Sequence, residues 1–259
     1  MNRRNLLKKL PSCLLGALFV ACVASTTMVH AVDGNPPGLF ELEGNTLDDA
    51  GVGTYADVIE SIGWAIDNGA RIINYSGGGD EFSEEEYLAI KKAEAKGVLF
   101  IAAAGNEHED TDKVENYYYP AAYRVSNLIS VAATDIHNNL LASSNWGKTR
   151  VDVAAPGENI YSTTPKHKFG YMSGTSQATA FVTGLAALLL SKDPSLTPQQ
   201  IREIIMASVD PVPALKDRIV TGGRVNAFAA LSKLTERTAA NRALAVGPSK
   251  SFPFVSATR

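Results

Sequence analysis

Ser176 is the residue whose neighbours best suit a nucleophile. It follows Gly174 and Thr175 and precedes an apolar stretch that is too long for a strand and typical of a buried helix. The start of a helix presents unpaired N–H groups and a positive dipole end. A serine there could attack a carbonyl carbon while a backbone N–H stabilises the developing oxyanion. Taken alone, the same pattern also fits a serine that only caps a helix.

Two other segments carry groups that such a reaction needs. One apolar run ends at Gly105-Asn106, where the asparagine amide could donate a second hydrogen bond to the oxyanion. Another extended segment ends in Ser76, Gly77 and Gly78, which could pair with a peptide substrate as an added strand. Each also has a purely structural interpretation, because Gly-Asn and glycine-rich sequences are common in turns and connections.

Helix and strand patterns alternate along the segments that must position these groups. The apolar strands show no inside–outside alternation, so they are predicted to form a parallel sheet covered by helices. The second helix shows a capping box, Ser83 with Glu86 three residues later. Helices are predicted over 54–69, 83–97, 177–191, 197–208 and 225–234, and strands over 71–75, 98–104, 128–133 and 151–155.

Several ordered motifs resemble the subtilase family of serine proteases over residues 47–232. They are Leu47–Gly53, Ile72–Gly78, Ala102–Asn106, Val151–Gly157, Met172–Thr179 and Gly223–Ala227. The resemblance implies an α/β fold with a doubly wound parallel sheet and helices on both faces. It also implies endopeptidase action on peptides or proteins, with Ser176 as nucleophile, Asn106 as oxyanion donor, and Ser76, Gly77 and Gly78 in the substrate-binding edge.

The aspartate and histidine of the family's catalytic triad are not found. The family carries them in Asp-Thr-Gly and His-Gly-Thr-His motifs, whereas Asp33-Gly34 has no strand before it and His30 lies in a leader sequence. Because a serine hydroxyl needs a base to remove its proton, we expect this chain alone to be inactive. The other histidines, His108, His137 and His167, lack the family motif. His167 lies nine residues before Ser176, on a stretch that the resemblance would place near the site, but it is better explained as an exposed loop residue than as a base.

The missing segment would also supply central strands of the family's sheet. The strand predicted over 71–75 is therefore expected to have an open edge, which invites pairing with another chain. Three interpretations stay open. The first is an endopeptidase whose Asp and His segment is absent from this sequence, the second is a secreted pseudoprotease that acts as a binding module, and the third is complementation by a second polypeptide.

The first 31 residues have the layout of a signal peptide, with a basic start, an apolar run over 14–23 and Ala31 at the predicted cut. This predicts a secreted protein. An uncleaved membrane anchor and a lipidated Cys22 are the alternatives. Residues 32–46 are predicted to be a linker, 47–235 a partial catalytic domain and 236–259 a flexible tail. Both cysteines of the chain, Cys13 and Cys22, lie in the leader, so disulfides are excluded from the mature chain.

Composition constrains the partners and cofactors. The formal net charge of −3 gives no reason to expect nucleic acid. The predicted chemistry requires no cofactor. Calcium is left open by the resemblance, but the sequence has no Asp-x-Asp-x-Asp run to support a site.

Overall fold

A computed structural model of the chain describes residues 30–31, 40–41, 54–164 and 168–246, and the side chains of 54–164 and 168–238. The predicted signal peptide and linker therefore lie almost wholly outside the described residues, as does His167. The parts of these two segments that the structure describes are two short strands, β1 (His30–Ala31) and β2 (Phe40–Glu41), which pair antiparallel.

The rest of the described chain alternates between helices and strands, as the sequence predicted. The helices are α1 (Tyr55–Asp67), α2 (Glu84–Ala95), α3 (Thr175–Lys192), α4 (Pro198–Met206) and α5 (Ala227–Val246). The strands are β3 (Ile72–Tyr75), β4 (Leu99–Ala103), β5 (Leu128–Thr134), β6 (Val153–Pro156), β7 (Ile160–Thr164), β8 (Lys168–Met172), β9 (Asp210–Pro211) and β10 (Gly223–Arg224).

Six of these strands form one sheet in the order β3-β4-β5-β6-β10-β9. The pairings from β3 to β10 are parallel, and β9 joins β10 antiparallel. Among the described residues β3 lies at the edge of the sheet, in agreement with the expected open edge. A separate hairpin is formed by β7 and β8.

Helices cover both faces of the sheet, which confirms the predicted α/β architecture. Alternate side chains of β3 show how the two cores divide. Ile73 and Tyr75 pack in a core with α1 and α2, whereas Ile72 packs in a second core with α3, α4 and α5. Helix α3 lies at the centre of this second core, where it contacts β3, β4, β5 and β6.

The start of α2 differs from the predicted capping box. The Ser83 hydroxyl accepts a hydrogen bond from the Glu86 backbone N–H at 3.1 Å, as expected. The Glu86 carboxylate, however, is 1% exposed and accepts hydrogen bonds from Tyr75 and Tyr123. Because the carboxylate accepts from these two phenol hydroxyls, it does not complete the capping box with the Ser83 backbone.

Three other features depart from the sequence prediction. The hairpin β7–β8 was not predicted, because its polar and apolar residues are half-buried or exposed. Helix α3 is not buried all round, since Phe181 is 46% exposed. Helix α5 continues beyond its predicted end at Leu234, so residues 236–246 are helical where a flexible tail was predicted.

None of the helices in the described ranges has the length and apolar character needed to span a membrane.

Candidate active site

Ser176 lies in the first turn of α3, as predicted from the sequence. Its Oγ donates a hydrogen bond to the backbone oxygen of Ser76 at 2.9 Å. The Ser76 hydroxyl in turn donates to the backbone oxygen of Ser176 at 3.2 Å. These reciprocal bonds join the start of α3 to the segment that follows β3. The Ser176 side chain is only half-buried.

Thr175 holds Asn106 next to this serine. The Thr175 backbone N–H donates to Asn106 Oδ1 at 2.8 Å, and its hydroxyl donates to the same oxygen at 3.1 Å. The Thr175 hydroxyl also contacts the backbone of Gly105, accepting from its N–H and reaching its oxygen, both at 3.3 Å. Because Oδ1 is engaged by Thr175, the amide nitrogen is the end of Asn106 available to another acceptor. The asparagine itself is exposed.

Gly174 makes this close approach of the loop after β4 to the start of α3 sterically feasible. Its φ of 155° and ψ of 173° fall in a region of backbone space that is essentially restricted to glycine. A Cβ at this position would lie 3.2 Å from Asn106 Oδ1 and 3.2 Å from Gln177 Oε1. A side chain here would therefore press on the asparagine as well as strain the backbone.

The segment Ser76–Gly79 forms one wall of the cleft beside Ser176. Gly79 pairs with Tyr119 in an isolated antiparallel bridge, with N–H···O distances of 3.0 and 2.7 Å. Gly78 has a φ of 156°, and a Cβ on it would lie 2.3 Å from the Tyr119 backbone oxygen. Only glycine fits this approach. Ser76 and Gly77 are half-buried and Gly78 is exposed, so this edge is partly accessible to another chain.

A buried polar network anchors the strand that leads into this segment. The Tyr75 hydroxyl donates to Glu86 Oε1 at 2.8 Å, and the Tyr123 hydroxyl donates to Glu86 Oε2 at 3.0 Å. Burial raises the pKa of the Glu86 carboxyl above its ordinary value, while the two hydrogen bonds act in the opposite direction. Burial and the neighbouring carboxylate also raise the pKa of Tyr75, so its hydroxyl remains a donor.

The described histidines lie in other environments. The His108 ring packs edge-on against Trp146, with 4.9 Å between ring centroids. His137 lies in an exposed turn, where its backbone N–H donates to Asp135 Oδ1 at 2.8 Å. The hydroxyl hydrogen of Ser176 goes to a backbone oxygen and not to either of these imidazoles.

Among the described residues, no group of three or more His, Cys, Asp or Glu side chains is arranged to hold a metal ion.

The structure thus brings the sequence-predicted residues Ser176, Asn106 and Ser76 to one cleft, with Gly77 and Gly78 along its wall. Sequence reasoning missed the part of Thr175 in holding the asparagine. It also missed Tyr118, whose ring lies against the same wall. The run of three tyrosines before Pro120 was the one signal in the sequence that could have drawn attention to Tyr118.

Comparison with known proteins supports the family that the sequence motifs indicate. Residues 22–243 match the subtilase family, and this match begins inside the segment predicted as a signal peptide. Subtilisin DY of Bacillus licheniformis is 38% identical over 183 residues, which is 71% of this chain and 64% of that protein. Thermitase of Thermoactinomyces vulgaris is 38% identical over 208 residues, covering 80% of this chain and 71% of that protein.

Solved structures of two proteases are also similar to this chain. The self-cleaved protease domain of PatA superposes with a TM-score of 0.61 at 33% identity, covering 71% of this chain and 69% of that one. Subtilase cytotoxin SubAB gives a TM-score of 0.64 at 30% identity, covering 71% and 67%. The chain spans less than two thirds of subtilisin DY and about half of a thermophilic serine proteinase from Bacillus sp. (strain AK1), 49% of which it covers. The match to the family nevertheless extends over most of this chain, which therefore belongs to the subtilase family.

Proposed function

We propose that this chain carries the nucleophile and the oxyanion donor of a serine endopeptidase and is inactive on its own. In the proposed reaction, Ser176 Oγ attacks the carbonyl carbon of a peptide, the C–N bond breaks, and the amine half leaves with the proton that the serine gives up. Water then hydrolyses the remaining acyl-enzyme, which releases the acid half and restores the serine. The carbonyl oxygen becomes negative and accepts hydrogen bonds from Asn106 Nδ2 and from backbone N–H groups at the start of α3. The observation that carries the proposal is the pair of hydrogen bonds from Thr175 to Asn106 Oδ1, which hold the asparagine one residue from Ser176.

The proposed inactivity is supported by the hydrogen bond that the Ser176 hydroxyl makes. The hydroxyl donates to a backbone oxygen, which cannot accept the proton during attack as an imidazole does. In a subtilisin, loss of the catalytic serine or histidine lowers kcat on the order of a millionfold. We expect a deficit of that size here unless the missing Asp and His are supplied by a further segment or by a second polypeptide.

The edge of β3, which is unpaired among the described residues, supports the second of these sources. A strand from another polypeptide could pair with this edge, and the substrate would then bind along Ser76, Gly77 and Gly78 as a further extended segment. We propose peptides or proteins as substrates and a secreted location. A secreted pseudoprotease that only binds peptides in the same cleft is the alternative. Fluorophosphonate labelling distinguishes the endopeptidase from the binding module.

A fluorophosphonate probe, which reacts with activated serines, tests the inactivity. We expect the purified chain to label no faster than a Ser176→Ala variant. Labelling of the wild type that disappears in Ser176→Ala would overturn the proposed inactivity. Addition of a polypeptide that contains the Asp and His segment of a subtilase is expected to produce Ser176-dependent labelling, whereas a binding-only module would stay unlabelled.

A further inference from the structure

The ring of Tyr118 lies between two backbone segments that flank Ser176. A Cβ on Gly78 would lie 2.4 Å from Tyr118 Cε1, and a Cβ on Gly105 would lie 2.9 Å from Tyr118 Cδ2. These two ring carbons are on opposite sides of the phenol. The ring therefore reaches from one glycine to the other, and both positions must be glycine for it to fit.

Both glycines belong to the walls of the cleft. Gly78 is two residues beyond Ser76, whose backbone oxygen accepts the Ser176 hydroxyl hydrogen bond. Gly105 immediately precedes Asn106 and contacts the Thr175 hydroxyl. The gap that the ring occupies thus opens between the segment proposed to pair with substrate and the segment that carries the oxyanion donor.

The backbone around Tyr118 is held in place. Its backbone oxygen accepts a hydrogen bond from the Ala122 N–H at 2.8 Å, and the next residue, Tyr119, pairs with Gly79. Burial of the ring, followed by the nearby Glu107 carboxylate, raises the pKa of the Tyr118 hydroxyl to about 12. The phenol therefore stays neutral in the physiological range and can remain packed between the two glycines.

This placement has a consequence for any peptide in the proposed reaction. Its carbonyl carbon must reach Ser176 Oγ with the oxygen toward Asn106, and its backbone must run along the Ser76–Gly78 edge. Side chains of an extended peptide point alternately to opposite sides. The side chain on the residue that donates the carbonyl then points either to solvent or into the gap between Gly78 and Gly105, which the ring already fills.

We propose that Tyr118 determines substrate specificity by excluding large side chains from this gap, so that the residue donating the carbonyl is glycine, alanine or serine. This inference rests on the proposed function, since it assumes that Ser176 is the attacking group. An open pocket between the same two segments would instead bury a large apolar side chain and favour it.

Peptide boronic acids test the proposal without requiring catalysis, because boron takes the place of the carbonyl carbon and bonds to the serine oxygen, whose proton passes to the buffer. We would measure dissociation constants by calorimetry, and adduct formation by ¹¹B NMR, for two acetyl-tripeptide analogues that end in the boron counterpart of alanine or of phenylalanine. The alanine analogue is expected to bind the wild type about tenfold more tightly or better. Tighter binding of the phenylalanine analogue to the wild type would overturn the proposal.

Variants of Tyr118 supply the matched comparison. Tyr118→Ala opens the gap and is expected to improve binding of the phenylalanine analogue by about tenfold or more, while Tyr118→Phe keeps the ring and the wild-type preference. An unchanged preference in folded Tyr118→Ala would contradict the proposal. If that variant does not fold by circular dichroism, the order of the two wild-type affinities decides.

A Ser176→Ala variant distinguishes failure of the proposed function from failure of the specificity inference. If both analogues bind this variant as well as they bind the wild type, the proposed function fails and the inference fails with it. If binding requires Ser176 but the phenylalanine analogue is preferred, only the specificity inference fails.

Discussion

Replacing Tyr75 by phenylalanine removes a single buried hydroxyl from the strand that leads to Ser76. The hydroxyl is the 2.8 Å donor to Glu86, and Tyr75 is 4% exposed. The phenyl ring would keep its contact with Phe100, whose centroid is 5.5 Å away. The substitution therefore tests one hydrogen bond to a buried carboxylate with little change in packing.

The size of the effect follows from the charge of the acceptor. A hydrogen bond to a charged group contributes about 1.5–3 kcal/mol to stability, so we expect Tyr75→Phe to lower the free energy of unfolding by about that amount at a pH where the Glu86 carboxylate is ionised. Below the ordinary carboxyl pKa of 4.5 the Glu86 side chain is protonated, and the loss should fall toward about 0.5–1.5 kcal/mol, the value for a neutral pair. The penalty is thus predicted to grow with pH.

Urea unfolding followed by circular dichroism at pH 4 and pH 7 measures the loss in the free energy of unfolding at each pH. Tyr55→Phe is the matched control, because the Tyr55 hydroxyl donates to the Glu81 backbone oxygen at 3.2 Å and the residue is 39% exposed. We expect it to change stability by less than about 0.5 kcal/mol. A Tyr75→Phe effect no larger than that of the control, or one independent of pH, would refute this reasoning.

Three further predictions concern buried polar groups. Because burial raises the Glu86 pKa, the wild-type free energy of unfolding should decline as pH rises from 4.5 through the raised value, and Glu86→Gln should remove that slope in a pH series of urea unfolding curves. Thr175→Val takes away the partner of the buried Gly105 N–H and should cost about 1–3 kcal/mol in urea unfolding, together with weaker binding of a peptide boronic acid. Arg202→Met leaves the buried Asp152 carboxylate without the guanidinium that bonds it at 2.6 Å, and should lower stability by about 3–5 kcal/mol by the same assay; a loss under about 1 kcal/mol would show that the pair is dispensable.

The parts of the fold that the sequence predicted depend on local patterns. The apolar run 98–104 becomes the fully buried β4, and Thr197-Pro198 starts α4 with a reciprocal capping box at Gln200. The motif order also placed Ser176 and Asn106 in one cleft. The strand and the capping box are predictable because each is encoded by residues that are close in sequence. The shared position of Ser176 and Asn106 is predictable from the order of the motifs along the chain.

The missed features depend on contacts between distant segments. Glu86 leaves the Ser83 cap because Tyr75 and Tyr123 provide better donors in a buried site, which no local pattern reveals. The position of Tyr118 is set by Gly78 and Gly105, which lie in two other segments of the chain. The hairpin β7–β8 carries its large aromatic residues exposed, so its pattern lacks the buried face that marks a strand.

The central claim is that the described residues of this cleft include a nucleophile and an oxyanion donor but no base, and added imidazole tests it most directly. The rate of fluorophosphonate labelling would be measured against imidazole concentration for the wild type, Ser176→Ala and Asn106→Ala. We predict a wild-type rate that starts at the Ser176→Ala background and rises with imidazole, and a slope about 10²–10³-fold lower in Asn106→Ala, the loss seen when the oxyanion-hole asparagine of a subtilisin is removed. Rapid wild-type labelling without imidazole, or an imidazole response shared by Ser176→Ala, would contradict the account.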